Sequence, residues 1–330
     1  MILLLLSQIE GLGGNILKRR DLMLALLVVI VWGVNFTVIK LGLSGVPSML
    51  LVALRYLFTA LPAIFFIKKP KLEWKYIILY GFTVGVAQFA CLFYAMEIGM
   101  PASLASITVQ IQAFISPLLG LIILKEKFKL KQVLGILIAA LGLFFIGRAA
   151  GGNGISSVPM APLILTIFAA IFWSTSNIIA RFSSERSAAK GEKLDMLGLV
   201  VWSSLVPPIP ILGFALILDT PKTLINAVTN LNMVSIFAVL YLAFASTLFG
   251  YGVWSNLLAK YPISKIAPLS LLVPITGLLT ARIVLSEKLL QTQWIGAAII
   301  LFGLIITNID FKLVLSTINR SIVKVEDIDK

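Results

Sequence analysis

Histidine is absent from this chain of 330 residues, and cysteine occurs once, as Cys91. One thiol cannot form an intramolecular disulfide, and without imidazoles a transition-metal centre lacks its commonest ligands. Cys91 is expected to be a small apolar filler within a helix. Acidic residues are scarce too: the 14 Asp and Glu all fall outside the long apolar runs or at their ends. No carboxylate is therefore expected at membrane depth to relay a proton or ligate sodium in the usual way. The same shortage leaves an intramembrane hydrolase without its acid, base or nucleophile, so neither catalysis nor a cofactor is expected. Charged residues of both signs reach only 12%, against 59% hydrophobic, which is too little polar surface to close an ordinary water-soluble globule.

What abounds is apolar sequence in runs of about 20 residues, the length a helix needs to cross about 30 Å of hydrocarbon. Ten runs can be marked, near residues 22–43, 47–67, 75–96, 101–124, 130–147, 159–180, 194–217, 233–256, 264–285 and 290–309. Unpaired backbone groups are costly in lipid, and the runs are too long and unalternating for barrel strands. The expected fold class is therefore an all-α polytopic membrane protein with ten transmembrane helices.

A net charge of +13 would also suit a nucleic-acid binder, so the position of each charge decides. With the amino terminus inside, the inward loops near 68–75, 125–131, 181–193 and 260–265 collect more than half of the 27 Lys and Arg. The outward connections hold at most Lys40, Arg148, Lys222, Arg282 and Lys288. This is the positive-inside bias, and it predicts two cytoplasmic termini, a lipid bilayer as partner and no nucleic acid. Oligomeric state cannot be read from apolar stripes that would serve lipid and protein equally.

Residues 101–146 and 262–307 align without a gap. The alignment pairs Pro101 with Pro262, Glu126-Lys127 with Glu287-Lys288, Gly135 with Gly296, and Gly142 with Gly303. Upstream, Trp32 and Lys40 fall on Trp173 and Arg181. A duplicated apolar unit is a mark of transporters. Each unit holds five runs, an odd number, so the second must start from the opposite face and the repeats are expected to be inverted. The expected organisation is a cytoplasmic extension over 1–21, a first repeat over 22–147, a periplasmic linker over 148–158, a second repeat over 159–309 and a cytoplasmic tail over 310–330. Such symmetry puts a substrate site near the midplane, where the halves meet.

Glycines seven apart share one helical face, so Gly135 with Gly142, and Gly296 with Gly303, read as close-packing positions. Pro101 and Pro262 mark helix starts. Pro117, Pro268, Pro274 and the group Pro207, Pro208 and Pro210 lie inside runs, where each frees backbone groups and predicts a kink or a carbonyl-lined wall.

Two basic residues intrude on the apolar zone. Arg55, well inside the second run, must face the bundle interior, snorkel or meet an anion, and a substrate carboxylate would serve. Lys40 and its counterpart Arg181 stand at run ends and are candidates for closing the two ends of a pathway. The uncharged candidates for substrate binding are Trp32, Asn35, Gln88, Tyr94, Gln110 and Gln112 in the first half. Trp173, Asn177, Tyr251, Trp254 and Ser270 join them from the second. Singly, each also suits an interhelical hydrogen bond or an interfacial anchor. As a cluster they can read an ammonium and a carboxylate without the desolvation of a fixed buried ion, so the expected partner is a small zwitterionic or polar metabolite.

The run Trp32-Gly33-Val34-Asn35-Phe36, with Lys40 after it, the two Glu-Lys turns and the repeat itself resemble the EamA branch of the drug/metabolite transporter superfamily. Residues 24–43 (LALLVVIVWGVNFTVIKLGL), 99–106 (GMPASLAS), 241–254 (YLAFASTLFGYGVW) and 266–278 (IAPLSLLVPITGL) are similar to members that export O-acetylserine and cysteine. The resemblance covers about residues 18–309. It implies a bacterial inner-membrane exporter of small neutral amino acids or their derivatives, with related members carrying aromatic amino acids or lipophilic drugs.

Overall fold

The computed structural model describes residues 17–126, 129–149, 159–285 and 290–308. The Glu287-Lys288 turn, Lys127, residues 1–16, the tail over 310–330 and nearly all of the linker expected over 148–158 lie outside the described residues. Within them every regular element is a helix, as apolar sequence in lipid requires when each backbone group must find its partner inside the segment.

The helices are α1 (Arg19–Leu43), α2 (Ser48–Ile64), α3 (Trp74–Glu97), α4 (residues 102–123), α5 (Leu130–Ala149), α6 (Met160–Ala189), α7 (Met196–Leu218), α8 (Met233–Lys260), α9 (Ile263–Val284) and α10 (Gln291–Asn308). A short amphipathic helix, Pro221–Thr229, joins α7 to α8. Seven of these helices, namely α1, α3, α4, α6, α7, α8 and α9, are long and apolar enough to cross a membrane; the apolar stretches of α2, α5 and α10 are shorter. Large apolar side chains stand exposed along the outer faces, among them Leu137, Phe144, Ile209, Ile283 and Phe302. In water they would be a liability, whereas in lipid they meet their own kind.

α5 packs chiefly on α10, α2 on α7, α1 on α8 and α9, and α6 on α3 and α4. Exchanging α1–α5 for α6–α10 maps this pattern onto itself. The α5–α10 crossing is a close approach and rests on the aligned glycines. A Cβ on Gly142 would lie 2.6 Å from the Gly296 carbonyl oxygen, and one on Gly303 would lie 2.5 Å from that of Gly135.

Irregular turns also come in pairs. α3 widens into a π-helical stretch at Gly81–Gln88 and α8 into another at Tyr241–Tyr251. α4 tightens to 3₁₀ geometry at Val109–Ile111 and α9 at Ala267–Leu272, where Pro268 opens the tight stretch. In both kinds of turn the ladder shifts and side chains or neighbouring helices satisfy the freed groups. α7 breaks between Ser203 and Pro208, at the predicted proline group. Ser203 and Ser204 both donate to the Val200 carbonyl there, at 3.0 and 2.7 Å. α6 runs to Ala189, beyond the expected end near residue 180, because RFSSERSAA contains no glycine or proline to stop it.

Candidate functional site

Helical periodicity puts Trp32 and Asn35, three residues apart on α1, on one face, and does the same for Tyr251 and Trp254 on α8 and, four apart, for Trp173 and Asn177 on α6. These faces meet at the centre of the bundle. The Trp32 ring packs 5.2 Å from Trp173, 5.0 Å from Tyr251 and 5.1 Å from Trp254, centroid to centroid. The Trp32 indole N–H donates to the Ser246 carbonyl at 3.2 Å, within the widened turn of α8.

A cavity opens beside these rings, lined by Asn35, Phe36, Gln88, Phe89, Val109 and Ser246 with the rings of Trp32, Trp173 and Tyr251. The space open to the centre of a water molecule is about 20 Å³, enough for one ordered water but not for an amino acid. Three buried polar atoms of its wall have no hydrogen-bond partner: Asn35 Oδ1, Gln88 Oε1 and Trp173 Nε1. Each such atom costs about 1–3 kcal/mol when left dry. A larger cleft, near Lys69, Glu73, Arg186 and Lys190, lies at the charged ends of α3 and α6, where Arg186 already pairs with Glu73 at 3.0 Å.

Arg55 stands directly behind the cavity wall and is 0% exposed. Its Nε donates to Thr247 Oγ1 at 2.7 Å and one terminal nitrogen, Nη2, to Ser246 Oγ at 3.1 Å, while Cζ lies 4.0 Å from the Phe89 ring centroid. The other terminal nitrogen, Nη1, is buried without a partner, as is the neighbouring Tyr56 hydroxyl. Among the described residues no carboxylate pairs with this guanidinium. A buried cation held only by hydroxyls and an aromatic face retains capacity for one anionic group.

Next to the cavity lies a closed network. Asn177 donates to Gln112 Oε1 at 3.2 Å and Ser116 Oγ at 3.0 Å, and its own oxygen accepts the Trp254 indole N–H at 3.1 Å. Gln112 donates in turn to Ser270 Oγ. These groups satisfy one another, so they fix the wall that carries Trp254 and Trp173.

The tertiary fold thus brings Trp32, Asn35, Gln88, Trp173 and Tyr251 to one cavity, Gln112, Asn177, Trp254 and Ser270 to the adjoining network, and Arg55 to the rear. Two candidates stand apart. Tyr94 is half-buried and does not line the cavity: six residues beyond Gln88 it lies on another side of α3, whereas Leu92, four beyond, does line it. Gln110 is buried with both amide atoms unpartnered, yet it lies outside the cavity lining. The sequence reading missed Ser246, Thr247 and Phe89. Ser246-Thr247 was visible as the one hydroxyl pair interrupting the apolar run YLAFASTLFG.

The two end candidates differ in environment. Lys40 is exposed at the end of α1. Arg181 is largely buried, donates to the Leu258 and Ala259 carbonyls at 3.1 and 3.0 Å, and pairs with Glu185 at 2.8 Å and Glu126 at 3.5 Å. Both oxygens of Glu126 accept the Ile263 N–H, at 3.2 and 3.0 Å. One carboxylate therefore ties α4 to the first turn of α9 and to α6, at a helix end whose dipole favours it.

Burial holds the Glu126 carboxyl above its ordinary value, outweighing the Ile263 amide and Arg181, which pull it down. The folded protein then binds this proton more tightly than the unfolded chain does, so stability falls as pH rises from the ordinary carboxylate range through the raised value. Thermal melts in detergent across about pH 4–7 should show that slope, and Glu126→Gln, which keeps an acceptor for Ile263, should flatten it.

The sequence profile of the EamA-like transporter family matches residues 20–148 and again 160–309. The chain belongs to that family. The double match establishes the duplication in this EamA-like transporter independently of the aligned residues, and it fits the exchange symmetry of the helix contacts. A "Probable amino-acid metabolite efflux pump" of Escherichia coli strain K12 is 42% identical over 88% of this chain and 95% of its own. A protein of the same description from Salmonella typhimurium strain LT2 is 41% identical over 90% and 97%. A solved crystal structure superposes with a TM-score of 0.69 over 88% of this chain and 96% of its own, at 15% identity, and supports the fold alone. This EamA-like transporter is thus an all-helical, multi-span membrane protein with bacterial relatives.

Proposed function

We propose that this EamA-like transporter exports small neutral amino acids or their derivatives, cysteine and O-acetylserine among them, across the bacterial inner membrane by alternating access. The observation that carries the reading is the central cavity between the halves, where Asn35, Gln88 and Trp173 present unpaired polar atoms and the unpaired guanidinium of Arg55 stands behind the wall. Such a wall loses stability when dry and regains it around a zwitterion. The two relatives described as amino-acid metabolite efflux pumps support the substrate class.

In this reading ten helices cross the bilayer as two inverted five-helix repeats, over 22–147 and 159–309, with both termini in the cytoplasm. The substrate-binding residues are those of the cavity and the network with Arg55; Gln110 and Tyr94 serve a widened state. Arg181, through Glu126 and the ends of α8 and α9, closes the cytoplasmic end in the present conformation. Lys40 plays the matching part at the other end when the halves exchange roles. Rocking about the central rings then converts one state to the other.

Cells overproducing the protein should release more cysteine or O-acetylserine than cells carrying an empty vector. Equal release would remove that substrate assignment. A second reading, a carrier of aromatic amino acids or lipophilic drugs, is favoured by the ring cluster of Trp32, Trp173, Tyr251 and Trp254. Counterflow in proteoliposomes with labelled tryptophan against labelled O-acetylserine separates the two.

A further inference from the structure

Of the three unpartnered atoms in the cavity wall, two are acceptors. Gln88 is oriented by Tyr251: its Nε2 donates to the phenolic oxygen at 3.0 Å, which leaves Oε1 as the free atom. Asn35 Oδ1, on the facing helix α1, is buried and equally free. The Trp32 and Tyr251 rings, 5.0 Å apart, line the same cavity. Neutral carbonyl acceptors beside electron-rich ring faces, with no carboxylate at the cavity, are a donor-hungry but uncharged lining. A group bearing several N–H bonds and a diffuse positive charge satisfies both features at once. A bare divalent cation does not, since it needs six or more oxygens and usually carboxylates among them.

Arg55 fixes the direction. Its charge lies behind Ser246 and Phe89 of the cavity lining, and it repels an ammonium while drawing a carboxylate. The zwitterion is therefore polarised, carboxylate toward Arg55 and amino group toward the free amide oxygens. We propose that Asn35 Oδ1 and Gln88 Oε1, framed by Trp32 and Tyr251, form an ammonium subsite, so that the carrier moves only molecules that keep a free, protonated α-amino group. This inference rests on the carrier reading above and adds a rule to it: acetylation of the substrate side chain is tolerated, and acetylation of the α-nitrogen is not. An N-acetyl nitrogen carries one N–H and no charge, so it leaves one acceptor bare and loses the attraction of the rings.

O-acetyl-L-serine and N-acetyl-L-serine are isomers that differ in this respect. Purified, unmodified protein in proteoliposomes is loaded with each proteinogenic amino acid and with O-acetylserine, and counterflow identifies those that move. Each mover is then set against its N-acetyl derivative as competitor. The N-acetyl form should compete about 10–100-fold more weakly than its parent. Asn35→Leu and Gln88→Leu should raise the half-saturating concentration of the parent by a similar factor, narrow the gap between the parent and its N-acetyl form, and elute as the unmodified protein does. Equal competition by the two forms overturns the ammonium subsite while the carrier reading stands. Failure of every amino acid to move overturns the carrier reading, and the subsite with it.

Discussion

Arg55→Met is expected to cut export severely while leaving the protein at least as stable as before. Arg55 is fully buried, and its partners are two hydroxyls and the face of Phe89 rather than a carboxylate. Burying a cation without a counter-charge costs several kcal/mol even after relaxation. Methionine has similar length, carries no charge and makes a favourable contact with an aromatic ring. Thr247 Oγ1 keeps its hydrogen bond to the Leu242 carbonyl at 2.7 Å, so the substitution strands little. Transport should respond in the opposite sense, because a charge-assisted contact to the substrate carboxylate disappears, lowering export about 100-fold. Melting of the detergent-solubilised protein, measured beside counterflow, reads both arms. Arg55→Lys restores the charge without the planar fork and should recover only part of the flux. Unimpaired flux in Arg55→Met would make the guanidinium a structural element and withdraw it from the site.

The second large effect is on stability. Gly303→Ala sets a Cβ 2.5 Å from the Gly135 carbonyl oxygen and 2.7 Å from the Ala139 nitrogen. Both are backbone atoms, so α5 and α10 must separate. A loss of about 1–3 kcal/mol is expected for alanine, and Gly303→Leu should prevent a stable fold. Gly142→Ala, facing the Gly296 carbonyl from the other side of the crossing, should behave alike. The control is Gly213→Ala in α7, where a Cβ would meet nothing within 4 Å and helix propensity favours alanine by about 1 kcal/mol. Thermal stability followed by size-exclusion chromatography would rank all four. A Gly303→Ala variant as stable as the Gly213→Ala control would show that the crossing is looser than the structure has it.

Much of this was legible because lipid imposes few solutions. Long apolar runs can only be helices there, and the pairs Gly135 with Gly142 and Gly296 with Gly303 marked two close-packing faces, which the structure brings together in one crossing. The proline group at 207–210 marked the break in α7. Trp32, Asn35, Gln88, Trp173 and Tyr251 stood out because polar or amphipathic groups in apolar runs must find one another. Tyr94 showed the same signal without sharing the place, since six residues beyond Gln88 it projects from another side of α3. Arg55 was visible as an anomaly, but the hydroxyl pair Ser246-Thr247 could not be assigned to it as a partner, because hydroxyls in a membrane helix commonly bond their own backbone.

The sequence by itself determined the class of protein: helical apolar runs, a duplicated unit and a bilayer as solvent. Those follow from composition and periodicity, which act locally along each segment. Only the tertiary structure decided which polar groups satisfy one another and which stay free. Gln112, Asn177, Trp254 and Ser270 close a network, whereas Asn35, Gln88, Trp173 and one arm of Arg55 do not. That division depends on the widened turns of α3 and α8 and on where distant helices cross. Neither is written in the period of any one run, because hydrogen-bond satisfaction is a property of the assembled bundle.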